Sequence, residues 1–577
     1  MTTATDDRSA PAVDTTSPLR ATVRRTGGRC AALFLTATVS TVLSLALPLA
    51  LGRALDALLA NPDDLGSGAV RWVLWCTALV LLMAVLDAVE TVLGAATTAR
   101  ATALLRHRLT GHLLAVGPRA EERFGSGELV ARLVGNAAQA GIAPASLAAL
   151  LAGVAGPVGA VVALGLLDPW LAAVFLAGAP LLAMLLRAFT HDSAQCAADY
   201  QKAQGLIARG LAEAIGGART IAACGTADRE AARILRPLPG LARAGHRMWH
   251  VQGRAAARAV VLAPLLQLGV VAVAGVLLVH GRLTVGEMLA ASRYAVLAAG
   301  VGVLVGQLSG LVRARASARR IGEVLAEPVT RYGGRRLPPG RGRLELRGVT
   351  ARRGGRTVLD CVDLFVPEGS TLAVVGRSGA GKSLLAALAG RLADPDEGTV
   401  LLDGVPLPEL DHDELRRAIG CAFERPALLG DTVADTIGLG VRAAPPDRIR
   451  AGAAAARADT FVRRLPDGYA TPCRAAPLSG GERQRLGLAR VLARDSRLLV
   501  LDDALSSLDT VTEHQVVDAL LHHSPGGTRV VVAHRASTAA RADTVAWLDA
   551  GRVRAVGTHA RLWRESGYRE VFADGAG

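Results

Sequence analysis

Two glycine-bearing turns in this chain have the chemistry of anion holders. Gly376-Arg377-Ser378-Gly379-Ala380-Gly381-Lys382-Ser383 fits the spacing G-x-x-x-x-G-K-[ST], directly after the apolar run Leu372–Val375 and ahead of a helical pattern. In that setting backbone N–H groups cradle phosphates, Lys382 reaches β and γ oxygens, and Ser383 offers an oxygen to Mg²⁺. The second turn lies in Leu478-Ser479-Gly480-Gly481-Glu482-Arg483-Gln484-Arg485. A Ser-Gly-Gly that opens a helix presents unpaired backbone N–H groups and a positive dipole end to an anion. Glycine lets a phosphate approach with no Cβ in the way. Downstream, the apolar run Leu498–Leu501 delivers Asp502 and Asp503 at its carboxyl end, and His534 follows the run Arg529–Val532. Phosphate binding, a hard-metal oxygen and a titratable group thus occur in one half of the chain.

The elements that must carry these residues divide into two kinds. At 577 residues the chain has room for two or more domains. It is 51% hydrophobic with 20% charged residues and a mean hydropathy of +0.33, a mixture that suggests a membrane part joined to a soluble part. Net charge is +15 and the bases are nearly all arginine, but 3% aromatics and the lack of a single basic block argue against nucleic acid as a partner. Seven cysteines, at 30, 76, 196, 224, 361, 421 and 473, are scattered and form no C-x-x-C. They read as small apolar residues of a reducing compartment.

Residues 1–22 lack periodicity and read as a disordered tail. Arg24, Arg25 and Arg29 precede an apolar run over 30–52 that is long enough to be an uncleaved first span. Further spans are expected at about 70–93, 142–167, 171–187, 256–279 and 285–311. Six spans put the N-terminus and the soluble domain on one side, and the arginine-rich flanks place that side in the cytoplasm. The outside loops are then short: 53–69 with Asp63 and Asp64, Asp168-Pro169, and His280-Gly281-Arg282. About 48 residues separate the second and third spans and about 68 the fourth and fifth, so helical connectors reach ~35–50 Å beyond the bilayer. Residues 328–343, rich in Pro, Gly and Arg, read as a linker, and beyond them short strands alternate with helices, as in an α/β domain with a largely parallel sheet. Asp87 and Glu90 share a helix face near the inner end of the second span, and Arg293 lies in the sixth; intramembrane charges are transport candidates.

The Leu478–Arg485 stretch resembles the signature of the ATP-binding cassette (ABC) ATPases, which press it onto a nucleotide held by the opposite subunit. The spacing of spans resembles the six-helix domain of ABC exporters, whose long intracellular loops end in coupling helices. Two local matches support this: Phe124 with Gly127-Glu128-Leu129-Val130-Ala131-Arg132-Leu133, and Leu283-Thr284-Val285-Gly286-Glu287. The first departs from the family pattern in carrying Asn136 where an acid is usual. The resemblance runs from about 25 to 570. It implies a multi-domain membrane protein: a transmembrane domain over 23–327, then the 328–343 linker and a P-loop NTPase cassette over 344–577.

Roles follow from the same resemblance. Asp502 matches the metal-associated acid of Walker B, Asp503 the general base, His534 the switch histidine, and Ser507-Leu508-Asp509 the D-loop between the two sites. Three positions depart from the pattern. Asp503 stands where a Glu is usual; the two acids have intrinsic pKa values of ~3.9 and ~4.3, so the loss is reach rather than basicity. Glu424 occupies the Q-loop position, where it offers Mg²⁺ a hard oxygen but adds negative charge beside the phosphates. Arg353 or Arg352 stands at the adenine-stacking aromatic, where a planar guanidinium still stacks on a base.

These features predict a half-transporter that binds ATP and Mg²⁺ and works as a dimer in the cytoplasmic membrane of a bacterium, with lipid around it. The N-terminus and cassette are expected to be cytoplasmic. An intact signature beside an altered base, Q-loop and adenine platform favours a heterodimer with a second half-transporter over a homodimer, with slow hydrolysis at this chain's own Walker site. The spans exclude a soluble ABC ATPase. Export of an unidentified small molecule, peptide or lipid is the leading expectation. The alternatives are import on the exporter fold, as for iron carriers, and an ATP-gated regulator or channel without active transport.

Overall fold

The computed structural model describes residues 18–60, 67–300, 302–441, 443–523 and 527–573. They pack as two compact units, one within Met1–Leu114 and Phe124–Glu327, the other within Ala115–Arg123 and Pro328–Gly577. Most of the tail expected over 1–22 lies outside the described residues; from Pro18 the chain is helical to Arg25. Asp63 and Asp64 also lie outside them.

Among its described residues the first unit is helical, without strands. Among the described residues three helical stretches are long and apolar enough to cross a membrane: Gly27–Ala60, Val70–Val116 and Ser126–Leu167. They carry the first three expected spans. The fourth and fifth are represented by the shorter apolar stretches Pro169–Pro180 and Pro264–Val279, parts of the helices Pro169–Gly216 and Leu238–Val279. The sixth, expected as one span over 285–311, is instead two helices, Val285–Ala299 and Gly302–Leu325, the first capped by Gly300. The connectors read from spacing are continuations of the spans themselves. Ser67–Val116 is a single helix of 50 residues, about 75 Å at ~1.5 Å per residue, against a hydrocarbon core of ~30 Å. Pro169–Gly216 runs along Leu238–Val279.

Short-range chemistry fixes the helix ends. Asp168 caps Pro169–Gly216 by accepting from Trp170 N and pairs at 2.6 Å with Arg282, so the two short loops read as outside are tied to each other. Thr284 and Glu287 form a reciprocal capping box at the start of Val285–Ala299. Asp56 completes this helix end, accepting from Gly286 N at 2.8 Å and Thr284 Oγ1 at 2.7 Å. Gly286 and Gly52 are where the two helices touch: a Cβ on Gly286 would lie 2.0 Å from Gly52 O. The Leu283–Glu287 match is thus a helix start docked on another helix. In the other match, Arg132 bonds Glu128 at 2.9 Å and Glu323 at 3.2 Å and lies over the Phe124 ring. Asp87 and Arg293 are exposed and Glu90 is half-buried.

Among the described residues the second unit contains ten strands: β1 (Leu344–Arg353), β2 (Arg356–Val366), β3 (Thr371–Val375), β4 (Glu397–Leu402), β5 (Val405–Pro406), β6 (Ile419–Phe423), β7 (Leu498–Asp502), β8 (Thr528–Val532), β9 (Thr544–Asp549) and β10 (Arg552–Gly557). Six form a sheet in the order β10-β9-β3-β8-β7-β6, parallel except for β10. Its β3 is buried at every residue, as expected for a strand covered on both faces. An antiparallel sheet, β2-β1-β4-β5, adds a second layer. The apolar runs had marked β3, β7 and β8; the antiparallel sheet was not anticipated.

Candidate functional site

The site forms where β3, β7 and β8, neighbours in the parallel sheet, end. In an open α/β sheet ligands bind beyond the carboxyl ends of the strands. The Gly376–Ser383 loop leaves β3, Asp502 ends β7 with Asp503 next to it, and His534 follows β8. The loop's glycines have distinct reasons. Gly376 has no room for a Cβ, which would lie 2.4 Å from Leu548 O. Gly379 and Gly381 have φ of 81° and 98°, a region that favours glycine. Gly381 caps the helix Lys382–Ala389, whose first N–H groups point back into the loop.

Lys382 is buried, and its ammonium donates to Gly376 O at 2.7 Å and Arg377 O at 3.1 Å. Burial pulls its pKa down, and the charges of Asp503 and Asp502 partly offset this. Asp502 is pushed the other way: burial raises its pKa, a hydrogen bond from Ser383 lowers it, and Asp503 and Glu424 add repulsion. Its Oδ1 is buried without a hydrogen-bond partner. A Ser hydroxyl beside an orphaned carboxylate oxygen fits Mg²⁺, which takes one or two protein oxygens and completes its shell with phosphate and water. Among the described residues no cluster of three or more His, Cys, Asp or Glu could hold a metal unaided.

Asp503 has φ 52°, a left-handed conformation that Asp tolerates better than most residues. Its Oδ1 lies 2.7 Å from His534 Nε2. The two candidate proton-handling groups are therefore already in contact. Glu424 is half-exposed and close enough to Asp502 to raise its pKa.

The signature turn is built as a helix start. Ser479 caps Gly480–Leu492, and Glu482 reaches back to Ser479 N at 2.8 Å, a complete capping box that holds Glu482 below the usual carboxylate range. Leu478 is partly buried against the neighbouring core. In the D-loop, Leu508 is buried and its carbonyl accepts from Arg535 at 3.2 Å, while Asp509 accepts from Thr512 N at 2.9 Å at the next helix start. Asp509 therefore has a structural use besides any functional one.

Arg353 ends β1 and folds back. Its Nη1 donates to Arg352 O at 2.9 Å and its Nε lies 3.6 Å from Glu122, in the segment Ala115–Arg123 that packs with this unit. Arg352 pairs with Glu397 at 2.9 Å. Of the two candidates, Arg353 is thus the one not committed to a β4 residue.

The residue that sequence reasoning did not single out is Gln484. Its side chain is 1% exposed and bonds to Glu424 O, Asp503 O, Ser506 Oγ and Ser507 N. A polar residue at a core-facing position of an otherwise amphipathic helix was the available signal.

The ABC transporter transmembrane region family matches residues 30–299 and the ABC transporter family matches residues 359–506. The chain is 52% identical over 544 residues to the ABC transporter ATP-binding protein RamA of Streptomyces coelicolor, covering 94% of this chain and 85% of that one. It is 32% identical over 482 residues to an ATP-dependent lipid A-core flippase of Pseudomonas fluorescens, covering 80% and 78%. Among solved structures, a bacterial Atm1-family ABC exporter with ATP bound aligns over 96% of this chain and 99% of its own, with a TM-score of 0.79 at 24% identity.

Proposed function

Since the chain belongs to the ABC transporter family, as a half-transporter of the exporter fold with an ATPase domain that couples ATP hydrolysis to transport, we propose that it exports a solute across the bacterial cytoplasmic membrane as one half of a heterodimer. In this reading its N-terminus and ATPase domain are cytoplasmic. The backbone N–H groups of Gly376–Ser383 and the Lys382 ammonium hold the ATP phosphates. The guanidinium of Arg353 stacks on the adenine. Ser383 and Asp502, with Glu424 beside them, hold Mg²⁺, which neutralises phosphate charge. Asp503 takes the proton of the attacking water, and His534 positions the γ-phosphate end. Gly480 and Gly481 present their N–H groups to the partner's nucleotide, and Ser507–Asp509 runs between the two sites.

The contact of Asp503 with His534 is the observation that carries this reading. It supports a hydrolytic centre, but one whose carboxylate is one methylene short and whose Oδ1, although 2.7 Å from His534 Nε2, is buried without a hydrogen-bond partner. Hydrolysis at this site is therefore slow, and this chain contributes chiefly its signature turn to the faster site. Homology to a flippase supports movement of an amphipathic or lipid-like solute out of the inner leaflet. The test is purification of the chain alone and in company with a second half-transporter carrying Glu at the base position. The pair should hydrolyse ATP faster than this chain alone and accumulate solute in inside-out vesicles. A stable self-dimer with brisk ATPase activity, abolished by Asp503→Asn, would sink the heterodimer.

A further inference from the structure

We propose that Gln484 is a positioning residue that locks the Asp503 base position to the signature helix of the same chain, so that engagement of one nucleotide site changes hydrolysis at the other. The inference rests on the two-site reading above. Gln484 lies one helical turn into Gly480–Leu492, whose first turn is the signature. Its carboxamide is 1% exposed, and a buried amide is costly unless its groups are bonded. All of them are. The two N–H groups of Nε2 face three acceptors, Asp503 O at 3.1 Å, Glu424 O at 3.3 Å and Ser506 Oγ at 3.3 Å, so one of them is shared, and Oε1 accepts from Ser507 N at 3.0 Å. Two carbonyls on one side and an N–H on the other fix which end is nitrogen.

Three loops therefore meet on one side chain: the Q-loop position, the base position and the D-loop. The carbonyl that Gln484 holds belongs to the residue at φ 52°, a conformation sustained only where the surroundings over-determine it. The same helix is wedged at two further points. A Cβ on Gly481, in the signature, would lie 3.2 Å from Ser507 O, and one on Gly487 would lie 2.6 Å from Pro426, two residues beyond Glu424. A helix packed this closely transmits a displacement of its N-terminus instead of absorbing it. A phosphate pressed onto Gly480 and Gly481 thus shifts Gln484, and with it the carbonyl of Asp503.

The test uses the reconstituted full-length transporter and the variant Gln484→Met, which keeps length and apolar bulk but has no N–H. The expected result is a fall of about tenfold or more in single-turnover phosphate release from the ATP held by Lys382, read with the partner's Walker lysine replaced, and in the intact transporter a KM for ATP within about twofold, because the Lys382 loop is untouched, with a Hill coefficient reduced to one. Gln484→His retains a ring N–H donor and should recover part of both; it reads the same quantities if Gln484→Met does not reach the membrane. A single-turnover rate within twofold of native, or a lost rate with the native Hill coefficient, overturns the coupling role. So does a native Hill coefficient of one. A native transporter without ATP hydrolysis overturns the two-site reading itself.

Discussion

Replacing Asp503 by Glu tests whether reach limits this chain's own site. The added methylene extends the carboxylate by about 1.5 Å. The native Oδ1 sits 2.7 Å from His534 Nε2, so the longer side chain must pass beyond that contact. Misplacing a reacting group by ~1 Å costs up to ~10²-fold. Restoring reach should therefore raise the hydrolytic rate by about 10- to 100-fold, or ~1.4–2.7 kcal/mol of barrier. An opposing effect comes from the backbone. Asp is enriched in the left-handed region and Glu is not, so Asp503→Glu at φ 52° should destabilise the ATPase domain by up to about 1 kcal/mol. The assay is single-turnover phosphate release from ATP held by Lys382, with the opposite site disabled by replacing the partner's Walker lysine. Thermal unfolding is measured alongside. A rate changed by less than twofold, with the variant folded, would refute the argument from reach.

Three other perturbations follow from the same geometry. Burial raises the pKa of Asp502 above the ordinary Asp value, while Mg²⁺ requires its carboxylate. Binding of Mg²⁺ with nucleotide should release a proton as pH falls and weaken at a higher pH than an unperturbed Asp dictates. Titration calorimetry in buffers of different ionisation enthalpy checks this, and Asp502→Asn should abolish the proton release. Replacing Arg353 by Tyr exchanges a guanidinium held near Glu122 for a larger stacking face, and should tighten ATP binding by about 1 kcal/mol, read by fluorescent-nucleotide displacement. Gly286→Ala would place a Cβ 2.0 Å from Gly52 O, and neither helix can retreat without stretching the Asp56 bonds to Gly286 and Thr284. A loss of about 1–3 kcal/mol is expected, visible as a lowered unfolding midpoint in detergent.

The sequence made the phosphate site legible because its parts are local. Thr371–Ser383 carries a strand, a loop and a helix start in thirteen residues, and each glycine of the loop has a backbone reason. Asp502, Asp503 and His534 were legible for a related reason: each directly follows an apolar run, and runs buried on both faces of a parallel sheet are continuous. The order of those strands in the sheet, which brings the three together, is a long-range fact that no window of sequence contains. The sixth span shows what hydropathy leaves out. Hydropathy counts residues and passes smoothly over Gly300, whereas the helix ends there, so one apolar segment became two helices.

What stayed hidden has a common physical form: a polar side chain whose meaning lies in backbone groups far along the chain. Asp56 reads as a charge near a span end until Gly286 N and Thr284 Oγ1, 230 and 228 positions away, are placed on it. Gln484 reads as one more polar residue of a signature helix until Glu424 O, 60 positions back, and Asp503 O, 19 ahead, are brought to it. Side chains that bind ligands declare themselves by type and spacing, since the ligand imposes the pattern. Side chains that hold other loops in place answer to a geometry that exists only after folding. In this chain Gln484 is of the second kind, bonding Asp503 O from the helix that Ser479 caps. The departure at Asp503 therefore has to be judged together with Gln484, because a base one methylene short is still useful if the helix that fixes its carbonyl can move it.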